Sequence, residues 1–337
     1  MSLHLFQSNR LEALGILYRH LTDSPLADPF APEVVMVQSR GMGRWLTLQL
    51  ARERGLAANL EFVLPAGFGW RLMKTVLPEL PPKSAFAPEV LTWRLMEVLP
   101  TLSGEPYTPL VRYLQGGPLA CFELAGKIAD IYDQYLVFRP AWIRAWEAGQ
   151  RLDLGEDEAW QAALWQRLAA EVPGRHRVTM LDDFFARLRP EHLPERVSVF
   201  GIATLAPMYL ALLLRMAELT EVNVFLLNPC EAYWGDIVDA RGQLKLFARG
   251  ESADGGHPLL ASLGQQGRDF FDDIAAGVPD AESMFLPPAG DSLLARLQRD
   301  ILQLIPPAAN VQPPAADDRS IVCHITHSPM RELEVLK

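Results

Sequence analysis

The chain has 337 residues, 49% of them hydrophobic, and a formal net charge of −10. That length can hold more than one core, and the acidic balance excludes a protein that coats nucleic acid through overall charge. Any DNA contact must come from a local patch or pocket. Positive charge is mostly arginine, the lysines being Lys74, Lys83, Lys127, Lys245 and Lys337. Arginine suits planar or bidentate recognition, and a high-GC coding bias produces the same usage. Cys121, Cys230 and Cys323 are far apart, without disulfide-framework or metal spacing, which fits a reducing cytoplasm. No apolar run reaches membrane-spanning length and no signal-peptide pattern opens the chain, so no membrane partner is expected.

In chain order, Leu3–Phe6 is a short strand candidate, and Asn9 with Glu12 is a plausible capping pair for a helix over Leu11–Leu21. Val34 to Leu50, VVMVQSRGMGRWLTLQL, reads as a buried strand, a tight glycine loop and a helix that ends near Gly55. Ala57–Phe62 leads into Leu64–Trp70 and a helix to about Val76. This β-α-β-α order predicts a parallel sheet. After the proline-rich break Pro78–Pro88, helices are predicted at Val90–Leu99, Leu119–Tyr135, Pro140–Ala148, Glu158–Glu171 and Met180–Leu188, with Trp142 and Trp146 as core of this region. Strand Val197–Phe200, helix Pro207–Leu219 and strand Val222–Leu227 restore the β-α-β pattern.

The economical arrangement is one α/β domain interrupted by a helical insertion. We expect domain segments at 1–89 and 194–305, the insertion at 90–193, a linker at 306–317 and the start of a further α/β domain at 318–337. Pro229–Pro288 is loop-rich and acidic, with one helix at Leu259–Ile274, and a second helix follows at Ser292–Leu304. In the last stretch Ser320–Ile325 reads as a strand and Ser328–Glu332 opens a helix, as in a piece of a longer protein.

The glycine stretch carries a damaged nucleotide motif. On the pattern G-x-x-x-x-G-K-[ST], residues Gln38–Trp45 read Q-S-R-G-M-G-R-W. Gly43 keeps the second glycine, Gln38 replaces the first, Arg44 replaces the lysine, and Trp45 replaces the hydroxyl that ligates magnesium. The strand that should end in a magnesium-holding carboxylate ends instead in Phe200-Gly201. Two such losses predict no ATP hydrolysis. The plain alternative is a structural strand-to-helix turn whose glycines are there for steric reasons. Other constellations are weaker. His324 and His327 lack zinc partners, no nucleophile elbow occurs, and Asp182-Asp183 and Asp272-Asp273 read as helix-surface carboxylates rather than a nuclease metal site.

Stretches along the whole chain resemble the RecC family, the gamma chain of exodeoxyribonuclease V (the RecBCD helicase–nuclease). They include Gln7-Ser8-Asn9-Arg10-Leu11, Val37-Gln38-Ser39 with Gly41-Met42, Leu64-Pro65-Ala66, Asp133-Gln134-Tyr135-Leu136-Val137, Asn228-Pro229-Cys230, Tyr233-Trp234-Gly235-Asp236 and His327-Ser328-Pro329. The resemblance implies a RecA-like α/β domain similar to domain 1A of superfamily 1 helicases, with an insertion like domain 1B. It implies RecB and RecD as partner subunits, ATP and Mg²⁺ used by those partners with no cofactor bound by this chain, and a subunit that splits duplex ends and scans the 3′-ending strand for the Chi signal.

Carried over residue by residue, the resemblance implies a DNA channel at Gln38, Leu64, Trp70, Asp130, Ile131, Asp133, Gln134, Arg139 and Arg177. Arg40 and Arg44 depart from the family pattern, where neutral polar residues stand, and two cations there favour phosphate or guanine contacts. Read physically, Trp70 stacks on a base or belongs to a core. Asp130, Asp133 and Gln134 share a helix face that reads cytosine amines or is merely solvated. Arg139 and Arg177 fit phosphate contacts or ordinary surface. Two other functions stay open: an active ATP-dependent helicase, and an assembly scaffold without DNA contact.

Overall fold

The computed structural model describes residues 2–80, 84–172, 174–237, 256–275, 278, 281–306 and 313–337. Parts of three predicted segments lie outside the described residues: 81–83 of the proline-rich break, 238–255, 276–277 and 279–280 of the acidic stretch, and 307–312 of the linker.

The first three strands are β1 (Leu3–Ser8), β2 (Glu33–Val37) and β3 (Leu60–Val63), and β4 (Arg196–Phe200), β5 (Glu221–Leu227) and β6 (Ala281–Ser283) come from later in the chain. All six form one parallel sheet in the order β3-β2-β4-β5-β1-β6. The chain is therefore α/β. Val34–Val37 is an uninterrupted apolar run, and Val197–Phe200 is broken only by the buried Ser198, because both faces of these central strands are covered. Helices α1 (Leu11–Leu21) and α2 (Arg40–Arg54) cover one face, around Leu14, Tyr18, Leu46, Phe200 and Phe225. The other face packs on α3 (Pro65–Val76).

Between β3 and β4 the chain forms α4 (Pro88–Val98), α5 (Thr108–Leu114), α6 (Pro118–Phe138), α7 (Pro140–Glu147), α8 (Glu158–Glu171) and α9 (Arg177–Arg187). Apart from α9, which is shared, these helices enclose a core of their own around Tyr132, Trp146 and Trp165, with Trp142 packed at its side. Later helices are α10 (Pro207–Ala217), α11 (Pro258–Leu263), α12 (Gln265–Ala275), α13 (Leu293–Leu302) and α14 (Pro329–Leu336). Helices α9 to α12 join α3 on the second face of the sheet. No described helix is long and apolar enough to cross a membrane.

Several expectations are corrected. Asn9 does not cap α1: its side chain bonds the backbone of Leu286 in both directions, at 2.8 and 2.9 Å, and Arg10 holds the cap position without a side-chain hydrogen bond. The single helix at Leu259–Ile274 is two, broken at Gly264, where a Cβ would lie 3.0 Å from the Trp234 ring. Ser320–Ile325 is not a strand, and Ile321, Val322 and Ile325 are exposed. A β segment needs a neighbouring strand for its backbone groups, and among the described residues none pairs there. Helix α5 and edge strand β6 are additions.

Among the described residues of the insertion core, Glu158 is a buried carboxylate. Glu158 accepts from Trp146 Nε1 at 3.0 Å and from the amides of Leu152 and Leu154 at 2.7 and 2.9 Å. Burial alone would raise its pKa, but the three donors outweigh that and hold it below the ordinary value. A depressed folded pKa stabilises above the unfolded value and ceases to do so as pH falls through the folded one. Glu158→Gln is expected to cost about 1–3 kcal/mol near pH 7. In urea unfolding, the gap from the parent protein should close as pH is lowered past ~4.5.

Candidate nucleic-acid interface

The strand-to-helix turn after β2 is shorter than a phosphate-binding loop. Val37 ends the strand, and α2 begins at Arg40, with only Gln38 and Ser39 between. Ser39 is the N-cap, its Oγ accepting from Met42 N at 3.2 Å. The expected glycine loop is therefore absent, and Gly41 and Gly43 lie within the first turn of α2. Gly43 is there for steric reasons, since a Cβ would sit 2.8 Å from the ring of Phe62. A real Cβ does not approach carbon that closely. Gly43→Val is expected to destabilise by about 1–3 kcal/mol through overpacking, read as a lower thermal midpoint.

The residues in place of the nucleotide-binding groups pack into the sheet. Trp45 is half-buried, its ring centroid 6.2 Å from that of Phe200 and its edge beside Gly15 of α1. Phe200 is fully enclosed, with Tyr18 and Phe225 at centroid distances of 6.0 and 5.7 Å. Gly201 takes a φ of +63, and a Cβ there would be 3.3 Å from Met42 Cε. Gly43, Trp45, Phe200 and Gly201 thus form a packed seam, and Arg44 alone of this group is exposed.

The open space lies at the carboxyl edge of the sheet, where ligands of parallel α/β folds bind. A cleft of about 630 Å³ is lined by Gln38, by Leu64–Ala66 after β3, by Thr204–Pro207 and Tyr209 after β4, by Phe138 at the end of α6, and by one face of α12. Leu64 also borders an adjoining depression of about 360 Å³ that holds Arg40 and Arg71. Arg71 pairs with Glu61. Among the described residues, Arg40 and Arg44 form no ion pair and are exposed.

The other predicted positions are distributed around this edge. Asp133 on α6 and Arg177 at the start of α9 form an ion pair at 3.5 Å. Both act on Tyr209, whose phenol burial pushes up, while Arg177 lowers it and Asp133 raises it. They are thus partners of one another beside the cleft rather than two separate free readers. Asp130 and Gln134 are exposed on α6, and Ile131 is half-buried. The Arg139 guanidinium lies 5.6 Å from the Trp142 ring centroid and donates to the Phe138 carbonyl at 3.1 Å. Trp70 is half-buried against the main core, with Lys74 Nζ 5.5 Å from its ring, and it does not line the cleft.

Phe138, Tyr209 and the α12 face were missed because no motif marks them. The available signal was their position, as residues that follow β4 or close a helix near the sheet edge. Among the described residues, no group of three or more His, Cys, Asp or Glu is gathered as a metal site.

Comparison with known proteins agrees along the whole chain. Residues 3–304 match the family described as RecC, N-terminal domain. The chain is 37% identical to the RecBCD enzyme subunit RecC of Escherichia coli K12, over 99% of this chain and 35% of that protein. Identity to the RecC subunit of Haemophilus influenzae is 33%, over 98% of this chain and 36% of that one. For Mycobacterium tuberculosis it is 29%, over 100% and 32%. The chain spans about a third of the length of these relatives. A family match from residue 3 to 304, with relatives of 37% and 33% identity aligned over nearly every residue, makes this chain a member of the RecC family.

Proposed function

We propose that this chain guides and reads single-stranded DNA as part of a RecBCD-type helicase–nuclease in double-strand break repair, and that it does not turn over ATP. In this reading residues 1–89 and 194–305 act as a helicase-like domain 1A and residues 90–193 as a 1B-like insertion. The linker 306–317 leads to the next RecA-like domain at 318–337. RecB and RecD are the partners in the cytoplasm and use the ATP and Mg²⁺. The chain helps split duplex ends and scan the 3′-ending strand for Chi.

One observation carries this: the two residues left between β2 and α2 offer no cradle for phosphates, while the same edge opens into a cleft holding Gln38 and Leu64. Arg40 in the adjoining depression and Arg44, exposed one turn further along α2, are cations able to meet phosphates or guanine. Purified chain is expected to show no DNA-stimulated ATP hydrolysis, with or without Arg44→Ala. DNA-stimulated hydrolysis that Arg44→Ala abolishes would replace this reading with that of an active helicase. In the assembled complex, a 3′-ending strand that never crosslinks to residues 38–45 would leave only the scaffold.

A further inference from the structure

One wall of the carboxyl-edge cleft is built by α12, which contributes no strand and lies in the acidic segment. Gln266, Asp269, Phe270 and Asp273 line the cleft, and their spacing of three, four and seven residues puts them on a single helix face. Phe270 is buried and ties the helix to the core under the sheet. Asp272 points elsewhere and accepts from Tyr233 Oη at 3.0 Å. The pair Asp272-Asp273 is therefore divided: one carboxylate braces a tyrosine, and the other faces the cleft.

The lining has the character of a base pocket. Phe138, 49% exposed at the tip of α6, presents a ring at the rim, and Leu64, Pro65, Leu205 and Pro207 supply flat apolar surface. Among the described residues no lysine or arginine lines the cleft, and Arg268, on the same helix, pairs with Asp269 at 3.3 Å. The cations Arg40 and Arg71 stand next door, across Leu64. A nucleotide fits this division, with its base in the cleft and its phosphate outside.

The polar groups on α12 then discriminate. Ionised carboxylates only accept hydrogen bonds. Cytosine and adenine present an exocyclic amine as donor, whereas thymine presents O4 as an acceptor. Asp269 and Asp273 are exposed on this helix face, and partial burial, then the charges of Asp269 and Asp272, push the Asp273 pKa up. We propose that the cleft receives one unstacked base of the guided strand, and that Asp269 and Asp273 select an amino-bearing base over thymine. This rests on the strand-guiding reading above.

The test uses the chain assembled with its RecB and RecD subunits. Strands carry a single 5-iododeoxycytidine or 5-iododeoxyuridine, walked along the 3′-ending strand, photocrosslinked and mapped to peptides. The two probes share their photochemistry and differ in the N4 amine against O4 and in bare N3 against N3–H. Peptides holding Phe138 or residues 265–275 are expected to favour the cytosine probe by about fivefold or more. Asp273→Asn, which introduces an amide donor of nearly the same shape, should move that ratio toward the uracil probe by about fivefold. Equal yields, or a ratio unmoved by Asp269→Asn and Asp273→Asn in proteins of unchanged melting temperature, would overturn the base pocket. Crosslinks confined to residues 38–45 would overturn it and leave the strand-guiding reading intact. No crosslink to this chain from either probe would remove both.

Discussion

Trp165→Ala is expected to cost about 3–5 kcal/mol, the usual loss for a fully buried tryptophan. Trp165 has no exposed surface, and four segments of the insertion meet on it. Its ring centroid is 5.5 Å from Phe86 before α4, 5.2 Å from Tyr132 on α6 and 5.4 Å from His176, the N-cap of α9. Its Nε1 donates at 3.0 Å to Glu147, the carboxylate that also meets His176 Nε2 at 2.6 Å. Truncation opens a cavity and strips Glu147 of a donor at once. Because the sheet has a separate core, damage should concentrate in the insertion. Limited proteolysis is expected to cut first between residues 88 and 171, with the sheet segments surviving longer, and Trp165→Phe should recover part of the loss. A change below about 1 kcal/mol, or uniform cleavage along the chain, would contradict this account of the core.

Arg196→Ala is expected to be comparably severe, at about 3–5 kcal/mol, because it leaves a carboxylate without its partner. Arg196 opens β4 with 5% of its side chain exposed, and its Nε donates at 3.1 Å to Glu33 at the start of β2. A second bond from Nη2 completes a fork on the same carboxylate, and Nη2 also donates to the Ser24 carbonyl at 3.0 Å. The two residues are 163 positions apart, with the whole insertion between them, so the pair pins the junction at which the sheet resumes. A buried ion pair need not itself be a net gain, and removal of one member is what costs most. The double substitution Glu33→Met with Arg196→Met should therefore be more stable than Arg196→Ala alone. Thermal melts of the single and double variants measure this directly.

The parts of the fold that were legible in the sequence share a cause. Val34–Val37 is apolar without a break, and Val197–Phe200 and Val222–Leu227 are apolar but for Ser198 and Asn223, as in short β-branched strands covered on both faces. Helix α8 shows its bounds, Glu158–Glu171, through a polar, acidic approach and the turn residues that follow. What failed depended on distant partners. Asn9 has the chemistry of a cap but spends it on Leu286, nearly the whole chain away. Ala281–Ser283 is a strand only because β1 lies beside it, and Ile321-Val322 has strand composition with no neighbour to pair with among the described residues.

The site was half legible for the same reason. The replaced lysine and hydroxyl are visible in Gln38–Trp45 itself, and the steric role left open for the glycines fits Gly43 against Phe62. That α2 absorbs the loop is not visible there. Nor is the meeting of Asp133 with Arg177, or the placement of Asp269 and Asp273 in one cleft with Gln38. Those are products of how the helices pack, and no local pattern encodes them.

The most direct test of a strand-reading role at this sheet edge is cleavage mapping on long duplexes by the complete complex, with and without substitutions at Gln38, Arg40, Arg44 and Leu64. Cuts should gather near one recurring sequence on the 3′-ending strand, and Arg40→Gln with Arg44→Gln should relax or change that sequence while DNA unwinding continues. Cut positions that ignore sequence, or a recognised sequence untouched by all four substitutions, would contradict it.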